Sequence, residues 1–188
     1  MGKHARKLTE KELHDLAVLR EEGFFLDVEP KLLDVSGGAI VVLCGDGDQA
    51  LDQMKYIERV CRPRPHLHAI NGGPLLMNRK CPDPAGREKG NMLFEEIRES
   101  RELKEIDTVV LIAHVPCGKA DAWGLDVITI VDWIVGVKDE IKDEINHGLR
   151  VRCKLHVDWT GAEEDKRTYF LSGKKWREFR RMQLVRPQ

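Results

Sequence analysis

Two short stretches carry residue types that bind metals or activate nucleophiles. The first, Cys44-Gly45-Asp46-Gly47-Asp48-Gln49, follows the apolar run 39–43 and sets a thiol beside two carboxylates. The second, His114-Val115-Pro116-Cys117-Gly118, follows the apolar run 109–113. If the runs are neighbouring parallel strands, Cys44, Asp46, His114 and Cys117 meet at their carboxyl ends, where open α/β sheets build sites. Two thiolates and one imidazole form a donor set suited to Zn2+, with the fourth position open to water or filled by a carboxylate. The competing reading is two buried thiols packing as small hydrophobes beside a hydrogen-bonded histidine.

Other stretches make weaker claims. Cys81 to Arg87 has the Cys-x5-Arg spacing of a phosphate-cradling loop. Lys80 precedes it, Pro82 and Pro84 remove donors, and Glu88 stands where a hydroxyl residue is expected, so a plain loop is the better reading. His66 and His68 share one face of a short strand, while His4, His14, His147 and His156 have no metal-binding spacing. Lys119, beside Cys117, either raises the local positive potential or opens a helix as a solvated side chain. Trp176 and Phe179 give the basic tail an apolar side, and Arg180 lies in its charged part.

The elements that position these residues follow from periodicity. Thr9 and Glu12 have capping-box spacing, Leu13, Leu16 and Leu19 repeat along one side, and Gly23 sits where a helix would end. The continuous apolar runs AIVVL and TVVLIA predict strands buried on both faces. A helix is expected from Gln49 to Cys61, a short strand at HLHA, a loop from Pro74 to Gly90, and a helix from Met92. Residues 120–148 predict one long helix or two with a joint near Gly136. LRVRCKLHVDWT alternates as a strand, and RTYFLS is expected to return from the turn TGAEEDK as an edge strand. The fold class is therefore three-layer α/β/α with a mainly parallel sheet of four to five strands. The division is an N-terminal helical arm over 1–35 and an α/β domain over 36–188.

Composition excludes several classes of function. Lys and Arg number 31 against 32 Asp and Glu among 188 residues, a formal charge of -1 that disfavours a dedicated nucleic-acid binder. The N-terminus is too polar for a signal peptide or membrane span, and Arg6 stands where a myristoylation signal has Ser or Thr, so a cytoplasmic protein without membrane attachment is expected. Five scattered cysteines, Cys44, Cys61, Cys81, Cys117 and Cys153, make a poor disulfide framework.

Across residues 38–172, Cys-x-Asp, then Ile70-Asn71-Gly72-Gly73-Pro74, then His-x-x-Cys-Gly stand after successive strands. This order resembles the β-class carbonic anhydrases, whose pattern is Cys-x-Asp-Ser-Arg, Arg-Asn-Ala-Gly-Asn and Gly-His-x-x-Cys-Gly. The strand from Leu149 is similar to that family's last core strand. The resemblance implies a zinc-dependent lyase. Cys44, His114 and Cys117 would be the zinc ligands and Asp46 the catalytic carboxylate beside the metal. The reaction would be reversible hydration of carbon dioxide to bicarbonate by the hydroxide that zinc generates from water. It also implies a homodimer, with the N-terminal helix embracing the partner.

The chain departs from that pattern at two places. Asp48 replaces the arginine that pairs with the carboxylate, and Ile70 replaces the arginine before the asparagine. Asp46 thereby loses its partner and gains a like charge. Arg59, Arg62, Arg64 and Arg79 are the candidate substitutes. Two alternatives stand beside the carbonic anhydrase reading. One is a non-catalytic zinc protein in which Asp46 closes the site as a fourth ligand. The other is a divergent hydrolase or lyase acting on another small electrophile.

Overall fold

A computed structural model describes residues 6–26, 37–60, 65–159 and 166–185. Cys61, Arg62, Arg64, His4, most of the segment before Gly37, the turn 160–165 and the side chain of Asp48 lie outside the described residues.

The first helix, α1 (Glu10–Glu21), begins as its sequence predicts. The Thr9 hydroxyl accepts the Glu12 N–H at 3.2 Å, and the Glu12 carboxylate accepts the Thr9 N–H at 2.8 Å. Leu16 and Leu19 are buried in the main core, whereas Leu13 is exposed. Arg6 forks between Glu12 and Asp121, and Lys11 reaches Asp126 at 2.7 Å, so α1 is held against the rest of its own chain.

After α1 come β1 (Phe25–Leu26), β2 (Ala39–Leu43), α2 (Gly47–Val60), β3 (Pro65–Ala69) and a 3-10 helix over Gly73–Met77. These are followed by α3 (Pro84–Lys104), β4 (Thr108–Val115), α4 (Gly118–Ala122) and α5 (Val127–Glu144). Strands β5 (Arg150–Asp158) and β6 (Lys166–Leu171) and helix α6 (Gly173–Val185) complete the described fold. The sheet runs β1-β6-β5-β4-β2-β3. Pairs β2–β3, β2–β4 and β4–β5 are parallel; β5–β6 and β1–β6 are antiparallel. The apolar runs that predicted doubly buried strands are β2 and β4, central in the sheet and buried at every position.

Three expectations about elements are corrected. The sheet has six strands rather than four or five, because the two-residue β1 pairs with β6 and takes the edge expected of β6. The loop expected over Pro74–Gly90 is largely helical. Pro74 and Pro84 each stand in the first turn of a helix, where a missing N–H costs nothing. Gly90 then lets α3 press onto the 3-10 helix, since a Cβ there would come within 2.2 Å of the Leu76 carbonyl oxygen. The joint expected near Gly136 lies earlier, between α4 and α5. Gly124 adopts φ +65 there, and the Asp126 carboxylate accepts the Thr129 N–H to open α5.

The two faces of the sheet are covered unequally. Helices α1, α3, α5 and α6 and the 3-10 helix bury one face, against Ile40, Val42, Val109, Leu111, Cys153 and Leu155. On the opposite face α2 covers Ala39, Val41, Leu43, Val110 and Ile112 with Tyr56 and Ile57. Farther along that face, β5 presents Lys154, His156 and Asp158, each paired in register with Phe170, Thr168 or Lys166 of β6.

Candidate metal centre

Parallel β2 and β4 run side by side with Leu43 opposite Ile112, which brings the end of β2 against the last residues of β4. Cys44 follows β2, His114 is the penultimate residue of β4, and Cys117 stands immediately before α4. All three are buried, and one donor atom from each lies within 4.8 Å of the others. A tetrahedral zinc with bonds of about 2.0–2.3 Å holds its donors about 3.3–3.8 Å apart, a spacing that falls within this bound.

The second glycine motif builds the wall of this site. Gly73 has φ +50 and abuts the junction of β2 with Cys44, where a Cβ would meet the Leu43 carbonyl carbon and the Cys44 nitrogen at 2.7 Å. Only glycine permits both that conformation and that approach. The neighbouring Gly72 N–H then donates to Cys44 Sγ at 3.2 Å.

The electrostatics suit a cation. The Cys117 thiol hydrogen-bonds to Cys44 and holds its pKa well below the usual thiol range despite burial, helped by the His114 imidazole and the Gly72 N–H. Cys117 shifts upward for the same reason, because its proton lies between two sulfurs and burial disfavours a second negative charge. The pair thus carries one thiolate, and a divalent cation would displace the remaining proton. Both ring nitrogens of His114 are buried and meet no oxygen or nitrogen partner among the described residues, the Cys44 sulfur being the polar neighbour that senses the ring. An imidazole so placed fits a ligand better than a packing residue, so the donor set suits zinc.

Asp46 lies two residues beyond Cys44, half-buried, with its carbonyl accepting the Gln49 and Ala50 N–H groups at the start of α2. Its carboxylate is not among the atoms that converge within 4.8 Å. The two described candidates for the missing arginine make contacts of their own. Arg59 stacks over Tyr56 at the far end of α2, about 20 Å along the helix from Asp46. Arg79 is engaged by Glu144 at 2.7 Å and by Glu140. Ile70 packs against the main core.

The remaining candidates resolve into structural roles. Cys81 is buried beneath the first turn of α3, where Asp83 accepts the Ala85 N–H, so no phosphate-cradling loop forms around it. Lys119 is half-buried, paired with Asp83 at 2.9 Å and set over the Trp123 ring, so its charge is already answered. His68 approaches Ser100 at 3.4 Å and Glu96 at 3.9 Å.

Sequence reading passed over a buried polar layer beside His114. His156 lies opposite His114 in register, only 2 % exposed; its Nδ1 contacts the Thr168 hydroxyl at 2.8 Å, and its Nε2 has no partner among the described residues. Burial, followed by the neighbouring His114, pushes the His156 imidazole down to about 4. From α2, Gln49 donates to Asp158 at 3.0 Å, and neither amide atom of the fully buried Gln53 has a partner among the described residues. The strict alternation of Arg152, Lys154, His156 and Asp158 is the available signal, and an ordinary half-exposed strand shows the same pattern.

Among the described residues no helix is long and apolar enough to cross a membrane. No protein-family model matches the chain, and no curated protein matches it. Among solved structures the chain is similar to a carbonic anhydrase from Streptococcus mutans, with 12% identity over 85% of this chain and 94% of that one and a TM-score of 0.47. A likeness of that depth assigns no residue and no activity.

Proposed function

We propose that Cys44, His114 and Cys117 bind a zinc ion and that the chain is a carbonic anhydrase-like protein hydrating carbon dioxide to bicarbonate. The observation that supports this most directly is the convergence of three buried donor atoms within 4.8 Å at the carboxyl ends of two parallel strands. The order of motifs along the chain adds to it. A zinc ion there would supply Lewis acidity, lowering the pKa of water toward about 7. The chain's own residues would do the rest. The Gly72 N–H would hold negative charge on Cys44, the buried walls would exclude bulk water, and Asp46, two residues beyond Cys44, would accept a proton in the catalytic reading.

A second reading keeps the zinc and removes the catalysis, with Asp46 as the fourth ligand. Asp48, standing where the resembled family has an arginine, supports it. Elemental analysis and stopped-flow carbon dioxide hydration separate the two readings. About one zinc per chain is expected, falling well below half in Cys117→Ser. Zinc with hydration activity supports the enzyme, whereas zinc without activity from neutral to alkaline pH supports the closed site. Activity gained in Asp48→Arg would identify the missing arginine as the difference, and a metal-free wild type would sink both readings.

A further inference from the structure

Helix α2 lies along β5 in a register that two hydrogen bonds fix. Gln49 Nε2 donates to Asp158 at 3.0 Å, and two turns farther on the Lys154 ammonium donates to the Tyr56 hydroxyl at 2.6 Å. Residues 49, 53 and 56 share one face of the helix, while 158, 156 and 154 share one face of the strand. Gln53 stands about 6 Å along the helix from Gln49, and His156 about 7 Å along the strand from Asp158, so the two side chains come level. His114 pairs with His156 in register on the same face of the sheet. The amide of Gln53 is thereby brought to a pair of neighbouring imidazoles.

The polar atoms gathered there are complementary. Gln53 is fully buried, and its Oε1 and Nε2 both lack a partner among the described residues. His156 is buried with its Nδ1 against the Thr168 hydroxyl at 2.8 Å, and its Nε2 has no partner among them either. Neither nitrogen of the buried His114 meets an oxygen or nitrogen partner. Buried polar groups so placed on three adjacent side chains call for one another. A neutral imidazole that ligates a metal through one nitrogen carries a proton on the other, and that N–H almost always donates to an acceptor.

We propose that Gln53 is a positioning residue for the metal centre, its Oε1 accepting the N–H of the ligating His114 ring and its Nε2 donating to His156 Nε2. The inference rests on the zinc reading above. One amide then answers both rings, an acceptor toward His114 and a donor toward His156, with the His156 Nδ1–H passed to the Thr168 hydroxyl. Only Asn and Gln offer a donor and an acceptor on one planar side-chain group, and Gln has the longer reach from a helix. Gln49 suits the role less well, because its amide nitrogen is committed to Asp158, two residues beyond His156 on β5. The effect of Gln53 is therefore expected on metal affinity, with little on the stability of metal-free protein.

Competition for zinc between the full chain and a chromogenic chelator tests this in wild type, Gln53→Leu, Gln53→Glu and Gln49→Leu. Zinc affinity is expected to fall about tenfold or more in Gln53→Leu. Gln53→Glu, which keeps an acceptor at the same reach, is expected to recover most of that loss, and Gln49→Leu to stay close to wild type. Thermal melting of the metal-free variants confirms that each is folded. Proton–nitrogen NMR of zinc-loaded wild type is expected to show a slowly exchanging His114 ring N–H that is lost in Gln53→Leu, a signal that a packing role would not move. Equal zinc affinity in wild type and Gln53→Leu would overturn the positioning role and leave the zinc reading standing. Equal losses in Gln53→Leu and Gln53→Glu, or a larger loss in Gln49→Leu than in Gln53→Leu, would overturn it as well. A wild type that takes up no zinc would overturn both.

Discussion

The two faces of this sheet are buried by different means. On the thick face four helices close an apolar core in which α5 contributes Val127, Ile130, Val131, Trp133, Ile134, Val135, Val137 and Ile141. At its edge Phe24 meets Trp176 and Phe179 edge-to-face at 5.5 and 5.0 Å. The thin face has one helix, a small apolar patch over β2 and β4, and beside it a polar layer of Gln49, Gln53, Lys154, His156 and Asp158. Apolar burial stabilises in proportion to area, whereas buried polar groups stabilise only when every partner is in place. The thick face therefore anchors the fold, and the thin face depends on its polar pairs being in place. The candidate metal site lies where the faces meet, with Cys44 and Cys117 in the thick core and His114 directed to the thin side.

The largest expected effect tests the thick face. Trp176→Ala should cost about 3–5 kcal/mol in chemical denaturation, because it empties a buried aromatic site and releases the indole bond to Asp132. A loss below about 1 kcal/mol would mean that α6 contributes little to this core.

Next comes the pH response of the thin face. Folded His156 takes its proton near 4, while the unfolded chain titrates near 6.5, so between these values the unfolded state binds more protons. Stability from this group is complete above about 6.5 and declines as pH falls toward 4, by at most about 3 kcal/mol. Denaturation of metal-free protein at pH 7 and pH 5 should show the decline in the wild type and a flatter profile in His156→Gln. Identical profiles would remove His156 as the cause.

The smallest effect concerns Gln53. Replacing its unpartnered amide by Leu should leave stability unchanged or raise it by about 1 kcal/mol. Destabilisation by Gln53→Leu would show that the amide is satisfied in solution, and would narrow the difference between the faces.

Much of the thick face was legible in the chain. The capping box opened α1 at Thr9, and the unbroken runs of β2 and β4 marked the central strands, because each signal depends on neighbours within a few residues. The donor triad was legible too, since both halves follow those strands. Proline misled where it opened helices at Pro74 and Pro84, a role that depends on position in the turn rather than residue type. Gly136 misled because packing on both sides of α5 outweighs the roughly 1 kcal/mol a mid-helix glycine costs.

By itself the sequence determined the α/β alternation, the two core strands and the residue types at their carboxyl ends, all carried by local period and composition. Only the tertiary structure decided that α1 packs on its own chain, that β1 covers β6, and that Arg59 and Arg79 make contacts of their own. It also decided that Lys154 and His156, which alternate as half-solvated residues would, are buried beneath α2 and beside His114. The physical reason is that periodicity reports which residues share a face, while what covers that face is set by segments far along the chain.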